Sequence, residues 1–364
     1  MVLGRATGGI GVHVDSLARE LRALGHQVEV LTDPLTAATF SWEDAHLLWP
    51  RGRNPLGLAR TVRRARALAR GADVVHAHGH QAGAYAAMFA GRAPLVVSLH
   101  NTVLPGAFPG VVSAGIQRRV ARRAALVTGA SSDLVALARG HGARTAELAE
   151  VPSPRVPALL ATPPRGWAAR REASRAFLES LRRPDLDPTL PLVLSVARVA
   201  PQKRIDVLLD VARDLRGEAN VVLVGAADEA LLGRLLAQDT AGDLVHLGPR
   251  PDLDGLYATA SVLALTSSWE ARALVVQEAM AAGLPVVATD TGGIPDLMRD
   301  GDDVIGELVP VGDVPATAAA VRRILSDPAG SERLAARGRE RAATWPDLGA
   351  SALAWVERYR RVLG

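Results

Sequence analysis

The stretch VLALTSSWEARALVVQEAMAAGLPVVATD, residues 262–290, contains the pattern on which the fold prediction rests. It begins with a short apolar run at 262–266 and ends with another at 285–289, and the residues between them favour a helix. Short β-rich runs of this kind are typical of parallel strands that are buried on both faces. The stretch therefore predicts an α/β fold with a parallel sheet.

The same alternation of β-rich runs and helical segments continues along both halves of the chain. In the first half the predicted strands cover 28–32, 73–76, 94–100 and 125–128. In the second half they cover 192–197, 220–224, 244–248 and the two runs above. Because 364 residues exceed what one hydrophobic core usually serves, we expect two doubly wound α/β domains.

The distribution of proline predicts where one domain ends. Residues 152–191 hold eight of the 23 prolines, a density typical of linkers. We predict a first domain at 1–151, a Pro-rich linker region at 152–190 and a second domain at 191–348. A final helix at 349–364 is expected to cross back onto the first domain. Since Met1-Val2-Leu3 is very short for a first central strand, we also expect the natural chain to begin a few residues upstream.

Composition excludes several classes of protein. Hydrophobic residues make up 48% and charged residues 22%, which is too apolar for a disordered chain. With a net charge of +4, 4% aromatic residues and no recognisable binding motif, no nucleic-acid partner is expected. The absence of cysteine excludes thiolate metal sites and fits a reducing compartment, so we expect a cytoplasmic protein. Neither a membrane span nor a signal peptide is predicted.

Two glutamates, Glu270 and Glu278, stand eight residues apart in the quoted stretch. Glu270 is expected in the loop beyond the carboxyl end of a strand, where open α/β sheets bind ligands. Glu278 is expected on the following helix among apolar neighbours, where a carboxylate needs strong hydrogen-bond donors such as a ribose diol. The alternative is structural: Glu270 caps the helix, and Glu278 with Gln277 forms a narrow solvated face.

Two cations follow the predicted strand at 192–197. Arg198 comes directly after it, and Lys203 lies five residues further on. Arginine offers a bidentate fork and lysine a compact charge, so the pair suits a diphosphate and can replace a divalent metal. An exposed basic loop without a ligand is the alternative.

Glycines open the first predicted helix, at Gly8, Gly9 and Gly11. Glycine lets backbone amides approach an anion, and a helix N-terminus favours negative charge. The spacing does not match the dinucleotide-binding fingerprint, so a tight turn without a ligand stays open as an alternative.

Histidines end two of the predicted strands, with His76, His78 and His80 alternating at one and His100 at the next. A metal site would need further ligands, and none is evident in the sequence, so polar lining of a cleft is preferred and no metal is expected. Three Asp-x-Asp strings are interpreted as turns, because each contains or follows proline or glycine: Asp185/Asp187, Asp252/Asp254 and Asp300/Asp302.

Arginines recur on two predicted helical segments: Arg60, Arg63, Arg64, Arg66 and Arg70, and Arg118, Arg119, Arg122 and Arg123. Ordinary solvated faces are the preferred interpretation, and peripheral contact with the anionic inner face of a membrane is the alternative.

Taken in order along the chain, these motifs resemble the large retaining glycosyltransferase family GT4. The resemblance rests on Gly-Gly-x-Gly-x-His-Val at 8–14, Val-His-Ala-His at 75–78, Ser-Leu-His at 98–100 and Ala-Arg-x-x-Pro-Gln-Lys at 197–203. It also rests on the Glu-x7-Glu element at 270–278 and on the run Gly-Leu-Pro-Val-Val-Ala-Thr-Asp-Thr-Gly-Gly-Ile-Pro-Asp at 283–296. It covers nearly the whole chain. It implies the GT-B fold, in which two Rossmann-like domains face a central cleft.

The resemblance also implies a role for each candidate residue. Arg198 and Lys203 would hold the diphosphate of a nucleotide-sugar donor, and Glu278 would bind its ribose. The residues implied to bind the sugar donor are Gly8, Gly9, Gly11, Arg198, Lys203, Glu270, Leu274 and Glu278. The residues implied to be catalytic, at the sugar or the acceptor, are His100 and Glu270.

The implied reaction is a metal-independent transfer that retains anomeric configuration, with a UDP- or GDP-sugar as donor and no further cofactor. The acceptor is left open among a lipid, a glycan and a small molecule. Glu270-Ala271-Arg272-Ala273 replaces the common Glu-Gly-Phe-Gly, which leaves the choice of sugar open, and Val151-Pro152-Ser153-Pro154 replaces the usual Pro-Asn-Gly-Val-Asp. A catalytically silent nucleotide-binding protein and a sugar-nucleotide epimerase of similar architecture are the alternative functions.

Overall fold

The structure, a computed structural model, describes residues 1–6, 8–50, 55–101 and 110–364, and only the backbone of residues 110–112. It divides into two units. The first unit comprises Met1–Pro154 and Pro346–Gly364, and the second comprises Arg155–Trp345.

A parallel sheet forms the centre of the first unit. Its strands are β1 (Val2–Leu3), β2 (Val75–His78), β3 (Leu95–Leu99), β4 (Leu126–Gly129) and β5 (Ala146–Leu148). The helices along this part are α1 (Gly9–Ala23), α2 (Pro34–Thr39), α3 (Pro55–Ala69), α4 (His80–Ala86), α5 (Gly110–Arg123) and α6 (Ser132–Gly140). The strands lie side by side in the order β1-β2-β3-β4-β5, with parallel pairing throughout.

The order of this sheet reverses at β1. After β1 the chain first reaches Leu31, which forms parallel bridges with Val2 and His46, and only later adds β2 on the opposite side of β1. The strand predicted at 28–32 is therefore reduced to isolated bridges at Leu31. The loop after β1 and the end of β2 lie at the point where the sheet order reverses, which is the usual place for a ligand in a doubly wound sheet.

A six-stranded parallel sheet forms the centre of the second unit, in the order β13-β10-β9-β6-β7-β8. These strands are β6 (Leu192–Val196), β7 (Asn220–Val224), β8 (Leu244–His246), β9 (Val262–Leu265), β10 (Val286–Thr289) and β13 (Glu307–Val309), and the two-stranded antiparallel pair is β11 (Arg299–Asp300) and β12 (Asp303–Val304). From β6 the chain adds β7 and β8 on one side and then β9 and β10 on the other. The order thus reverses between β6 and β9.

Helices surround this sheet. They are α7 (Val156–Ala161), α8 (Trp167–Ser180), α9 (Ile205–Asp214), α10 (Glu229–Leu236), α11 (Leu253–Thr259), α12 (Leu274–Ala281), α13 (Ile294–Met298), α14 (Val314–Ser326) and α15 (Pro328–Ala343), with a 3₁₀ turn at Pro201–Lys203. Two apolar clusters lie on the two sides of the sheet. For example, Leu194 belongs to one and Val193, its neighbour in β6, belongs to the other. Both faces of the strands are therefore covered, as their continuous apolar sequence predicts.

The last helix, α16 (Leu348–Leu363), returns to the first unit, as the sequence predicts. It packs against α1, where Leu17 and Leu21 recur at helical spacing and face inward. Its Trp355 is 1% exposed and lies in one apolar cluster with these two leucines and with Leu126 of β4. Burial of a large aromatic ring stabilises the docking of this helix by about 2–3 kcal/mol.

The Pro-rich stretch at 152–190 is not an unstructured linker, because it contains α7 and α8, and both pack within the second unit. Pro157 occupies the first turn of α7, where the missing N–H would have no helical partner in any case. Leu159 of α7 and Leu178 of α8 are 5% and 1% exposed and belong to the core. The crossing between the two units lies at Pro154, and the stretch that follows it belongs to the second unit.

Arg170 ties α8 to the rest of the second unit. Its side chain is 2% exposed and donates hydrogen bonds to the carbonyl oxygens of Tyr257 at 2.6 Å, Ala282 at 2.8 Å and Gly283 at 2.7 Å. Burial lowers the pKa of this guanidinium to about 10, so it stays charged at neutral pH. Main-chain oxygens rather than a carboxylate therefore stabilise the buried cation.

Candidate active site

Two predicted site loops meet where the order of the second sheet reverses. Arg198 and Lys203 follow β6, and Glu270 follows β9, the neighbouring strand of the sheet. The carboxyl ends of both strands lie at the same edge because the strands are parallel. Ligands of open α/β sheets bind at such a point.

Arg198 lies on the loop that leaves β6, and its side chain is exposed. The loop after β7 approaches this segment so closely that a Cβ at Gly225 would lie 2.1 Å from the carbonyl oxygen of Ala197. Val199 then bridges to Ala227 of the same neighbouring loop. The backbone that carries Arg198 is thus fixed, while its guanidinium has no acidic partner among the residues that the structure describes.

Lys203 ends the 3₁₀ turn, and its ammonium group forms an ion pair with Glu270. The next residue, Arg204, has φ +48°, a left-handed conformation that is uncommon outside glycine. The hydroxyl of Thr266, at the end of β9, donates to the carbonyl oxygens of Lys203 at 3.3 Å and Arg204 at 3.1 Å. The neighbouring loop therefore supports the strained turn that presents the ammonium group.

Further hydrogen bonds join the two loops. The side-chain amide of Gln202 donates to the carbonyl oxygen of Trp269 at 2.6 Å. In return, the carbonyl oxygen of Gln202 accepts the backbone N–H of Ser268 at 2.8 Å and its hydroxyl at 3.0 Å. The loops after β6 and β9 thus form one connected structure.

Glu270 is 8% exposed, and its carboxylate accepts a hydrogen bond from the hydroxyl of Ser267 at 2.6 Å besides the ion pair with Lys203. Its carbonyl oxygen accepts from the backbone N–H of Gly293 at 2.9 Å. Gly292 has φ +58°, and a Cβ there would lie 1.9 Å from the same oxygen. The loop after β10 therefore holds Glu270 from a third direction, and only glycine fits at Gly292.

The segment after Glu270 adopts ordinary backbone angles despite the absence of glycine. Non-glycine residues with positive φ in the described chain are Ser41, Arg182 and Arg204, so Ala271 and Ala273 keep negative φ. Ala273 is the N-cap of α12 and no side chain caps this helix, so the alternative in which Glu270 acts as the cap is wrong. Leu274, the first residue of α12, is half-buried.

Glu278 lies on α12 and is 6% exposed, and the adjacent Gln277 is 1% exposed. The alternative in which these two residues form a solvated face is therefore wrong. The hydroxyl of Tyr257, on α11, donates to the Glu278 carboxylate at 2.8 Å. Burial, and then the charge of Glu278, raise the pKa of Tyr257 well above its usual value of 10.0, so the phenol remains a hydrogen-bond donor. No sequence motif pointed to Tyr257.

In the first unit, the glycines after β1 have different environments. Gly11 is buried against Phe40, and a Cβ there would lie 2.2 Å from the ring, so packing alone requires glycine at this position. At Gly8, the N-cap of α1, a Cβ would meet nothing within 4 Å. Gly9 is exposed at the first position of the helix. Phosphate binding by this loop stays a prediction.

Three histidines converge near the reversal of the first sheet: His13 on α1, His78 at the end of β2 and His100 after β3. One ligand nitrogen from each lies within 4.8 Å of the others, and their side chains are buried or nearly so. Burial lowers the pKa of His13 to about 4 and the pKa values of His78 and His100 well below 6.5, so all three rings are neutral at pH 7. Neutral imidazole is also the form that ligates metals.

The sequence interpretation that no further metal ligand lies nearby is therefore wrong in one respect, because His13 from the first helix completes a group of three. His13 follows the glycines that open the first predicted helix, but nothing in the sequence indicated that it lies close to the strand ends. The other two histidines predicted near these strand ends have separate partners. His76 contacts the hydroxyls of Tyr359 and Ser98, each at 2.7 Å, and His80 contacts the carbonyl oxygen of Asn101 at 2.9 Å.

The arginines of α3 and α5 are all exposed on these helices. Beside α5 lies a cavity of about 130 Å³ whose lining includes Leu99, Ile116 and Gln117. Within the described ranges, no helix combines the length and the apolar character needed to cross a bilayer. Contact with a membrane surface stays open as the alternative to ordinary solvated faces.

Known proteins resemble both units in sequence. The family glycosyl transferases group 1 matches residues 178–341, and the glycosyl transferase 4-like domain matches residues 8–154. A D-inositol 3-phosphate glycosyltransferase of Xylanimonas cellulosilytica is 32% identical over 388 residues, covering 95% of this chain and 90% of that protein. A GDP-mannose-dependent alpha-mannosyltransferase of Mycobacterium tuberculosis is 36% identical over 151 residues, covering 41% of this chain and 38% of that protein.

Solved structures share the fold. Anabaena Alr3699/HepE in complex with UDP superimposes with a TM-score of 0.82 at 21% identity, covering 99% of both chains. The UDP-glucose complex of the same protein gives a TM-score of 0.80 at the same identity and coverage. The chain folds into two Rossmann-like units, two family domains match it, and one relative spans nearly all of it. This chain therefore belongs to the group 1, GT4-type glycosyltransferases with the GT-B fold.

Proposed function

We propose that this glycosyltransferase moves a sugar from a UDP- or GDP-sugar to an acceptor hydroxyl, with retention of anomeric configuration and without a metal ion. The observation that carries the proposal is the set of charges after β6 and β9. There, the exposed Arg198 and the paired Lys203 and Glu270 stand on loops that hydrogen bonds hold together.

The diphosphate of the sugar donor would bind to Arg198 and Lys203. An ammonium group has three hydrogen-bond donors, so Lys203 can contact a phosphate oxygen while it remains paired with Glu270. Arg198 adds a fork suited to phosphate oxygens. Known relatives support this class of donor, since the Anabaena protein was solved with UDP and UDP-glucose and one relative is named as GDP-mannose-dependent.

The ribose would bind to Glu278. A buried carboxylate needs hydrogen-bond donors, and the two hydroxyls of a ribose supply them. The hydrogen bond from Tyr257 at 2.8 Å supports one carboxylate oxygen and orients the group. Nucleotide base and ribose would thus lie against α12, which begins at Leu274.

In the proposed reaction the bond between the anomeric carbon and the diphosphate oxygen breaks, and the acceptor oxygen bonds to the same face of that carbon. The acceptor proton moves to the departing diphosphate oxygen. The carboxylate of Glu270 stabilises positive charge that builds on the sugar, and Arg198 and Lys203 stabilise the negative charge of the leaving group. His100 would contact an oxygen of the sugar or of the acceptor. Arg198 and Lys203 would thus supply the positive charge that a divalent ion supplies in other enzymes.

The first test is a thermal-shift screen with UDP-, GDP- and ADP-sugars, because a ligand that binds the folded protein raises its stability with occupancy. The UDP- or the GDP-sugars should raise the melting temperature of the parent, and at the same concentration they should raise that of Lys203→Ala less. Arg216→Ala is the matched control, since Arg216 is a surface cation of the same unit paired with Asp243 at 2.6 Å. A shift with none of the sugars would count against the proposal.

The second test is turnover. Nucleotide release should rise when an acceptor is added and should be unaffected by EDTA, and NMR of the product should show the anomeric configuration of the donor. Loss of turnover on chelation that magnesium or manganese restores would overturn metal independence, and an inverted product would overturn retention. Conversion of the donor without an acceptor would instead favour an epimerase.

A further inference from the structure

The proposed chemistry does not use a hydrogen-bonded pair of histidines in the first unit. The Nδ1 atom of His78 lies 3.1 Å from the Nε2 atom of His100. The two rings are stacked with an interplanar angle of 14°. His78 comes from β2 and His100 follows β3, so the pair joins the ends of two adjacent parallel strands.

Because both rings are neutral, this contact contains one proton, which belongs either to His78 Nδ1 or to His100 Nε2. Each neutral ring has one protonated and one bare nitrogen, so the position of this proton also fixes the state of the other nitrogen in each ring. If His78 donates, its Nε2 is bare and the Nδ1 of His100 carries a proton. If His78 accepts, its Nε2 carries a proton and the Nδ1 of His100 is bare.

The environment of His78 Nε2 decides between these arrangements. This atom is buried and has no hydrogen-bond partner among the described residues. A buried backbone N–H group without an acceptor is rarer in proteins than an under-satisfied carbonyl oxygen. An imidazole N–H buried without an acceptor would be the same kind of unsatisfied donor. The arrangement that leaves Nε2 bare therefore places the proton on Nδ1 of His78, from which it points to His100.

We propose that His78 is a positioning residue that donates from Nδ1 to His100 Nε2 and so holds His100 as the tautomer with its proton on Nδ1. His100 then offers an N–H group to an oxygen of the bound sugar or acceptor. The Nδ1 atom of His100 has no hydrogen-bond partner within the described chain, and the residue retains 9% exposure. The inference rests on the proposed function, in which His100 contacts substrate oxygen.

A histidine held in this tautomer gives a hydrogen bond and cannot take the proton of the acceptor hydroxyl from its Nδ1 side. That proton must go elsewhere, which agrees with its transfer to the departing diphosphate oxygen.

The direct test is two-bond ¹H–¹⁵N NMR of the full chain with ¹⁵N-labelled histidine, with the His100 signals assigned by their loss in His100→Gln. We expect His100 to show a protonated Nδ1 and a bare Nε2. A protonated Nε2 at His100 would overturn the proposal. The tautomer is measured in the parent protein, and the His100→Gln variant serves only to assign the signals.

Two variants test the effect on catalysis. His78→Leu removes the hydrogen bond, so we expect His100 to lose its single tautomer and kcat to fall about tenfold with little change in the KM for the sugar donor. His78→Asn keeps an N–H group close to the place of Nδ1 and should restore most of the rate. Unchanged tautomer and rate in His78→Leu would overturn the positioning role.

His76→Asn is the matched control, because His76 is equally buried on the same strand but pairs with Tyr359 and Ser98. It should leave the tautomer of His100 unchanged. A stoichiometric shift of the His13, His78 and His100 signals on titration with Zn²⁺ would overturn the proposal in favour of a metal site. Full turnover in His100→Gln would instead refute the role of His100 in the proposed function while leaving its tautomer measurable.

Discussion

Charged groups occupy the reversal point of the second sheet, whereas neutral rings occupy that of the first. In the second unit an ion pair, Lys203 with Glu270, and an exposed Arg198 stand after β6 and β9. Near the reversal point of the first unit His78 ends β2 and His100 follows β3, and burial keeps both uncharged at neutral pH. The same topological rule places both groups. Under the proposed function the ions would bind a diphosphate, and the neutral hydrogen-bonding groups would bind hydroxyls.

The largest effect should come from Glu270→Gln. If its carboxylate stabilises charge that appears only in the transition state, turnover should fall about 10²- to 10³-fold while free nucleotide binds nearly normally. Nucleotide release gives the rate, and calorimetry gives the affinity. Full turnover in this variant would show that the ion pair with Lys203 is structural.

The next largest effect should come from Arg198→Ala and Lys203→Ala. Each removes a charge-assisted contact, which contributes about 1.5–3 kcal/mol, so the Kd for the sugar donor should rise about tenfold to a hundredfold. The same substitution at Arg216 should leave the Kd unchanged. If both site variants bind the donor as the parent does, the diphosphate lies elsewhere.

The neutral histidines predict how stability depends on pH. A folded-state pKa near 4 for His13, below the unfolded value of 6.5, means that the unfolded chain binds protons first as the pH falls. The part of the free energy of unfolding that depends on neutral His13 is therefore fully present above about pH 7 and is lost between pH 6.5 and 4. His13 alone should lower the free energy of unfolding by about 2 kcal/mol between pH 7 and 5.

Urea unfolding at both pH values measures this loss. The variant His13→Gln, which does not titrate in this range, should lose less stability than the parent over the same interval. An equal loss in the two proteins would contradict the assignment of the effect to His13.

The smallest effect should come from the ribose site. Glu278→Gln keeps the shape of the side chain but removes its charge, so affinity for the free nucleotide and for the sugar donor should fall together, about tenfold. Tyr257→Phe removes only the supporting hydrogen bond and should lower both affinities less. A Glu278→Gln variant that binds free nucleotide as tightly as the parent would exclude this residue from the ribose site.

The sequence predicted the second unit better than the first, for a physical reason. Its strands are apolar on both faces, so the runs at 192–197 and 220–224 match β6 and β7 to within one residue. The run at 28–32 is equally β-rich, but only Leu31 pairs with neighbours, and pairing depends on partners that are distant in sequence. Proline density likewise could not distinguish a linker from helices that begin with proline.

Some of the candidate site residues could likewise be predicted from the sequence, and others could not. Strand ends predicted Arg198, Lys203 and Glu270 because parallel strands bring their carboxyl ends to one edge. Tyr257 and His13 could not be predicted, since each reaches its partner from a helix whose packing is decided by the tertiary fold. The burial of Glu278 was open from its apolar neighbours alone and is settled by the packing of α12.

The division of the chain at Pro154 and Pro346 gives the second unit the topology of an insertion. The first unit is made of two pieces of sequence, and the whole segment Arg155–Trp345 lies between them as one continuous cassette. That cassette carries α7 and α8, so a chimeric enzyme that takes its second unit from another family member should be joined at these two crossings. A junction at residue 191 would leave the recipient's α7 and α8 to pack against a foreign sheet, and Arg170 would face carbonyl groups of a different chain.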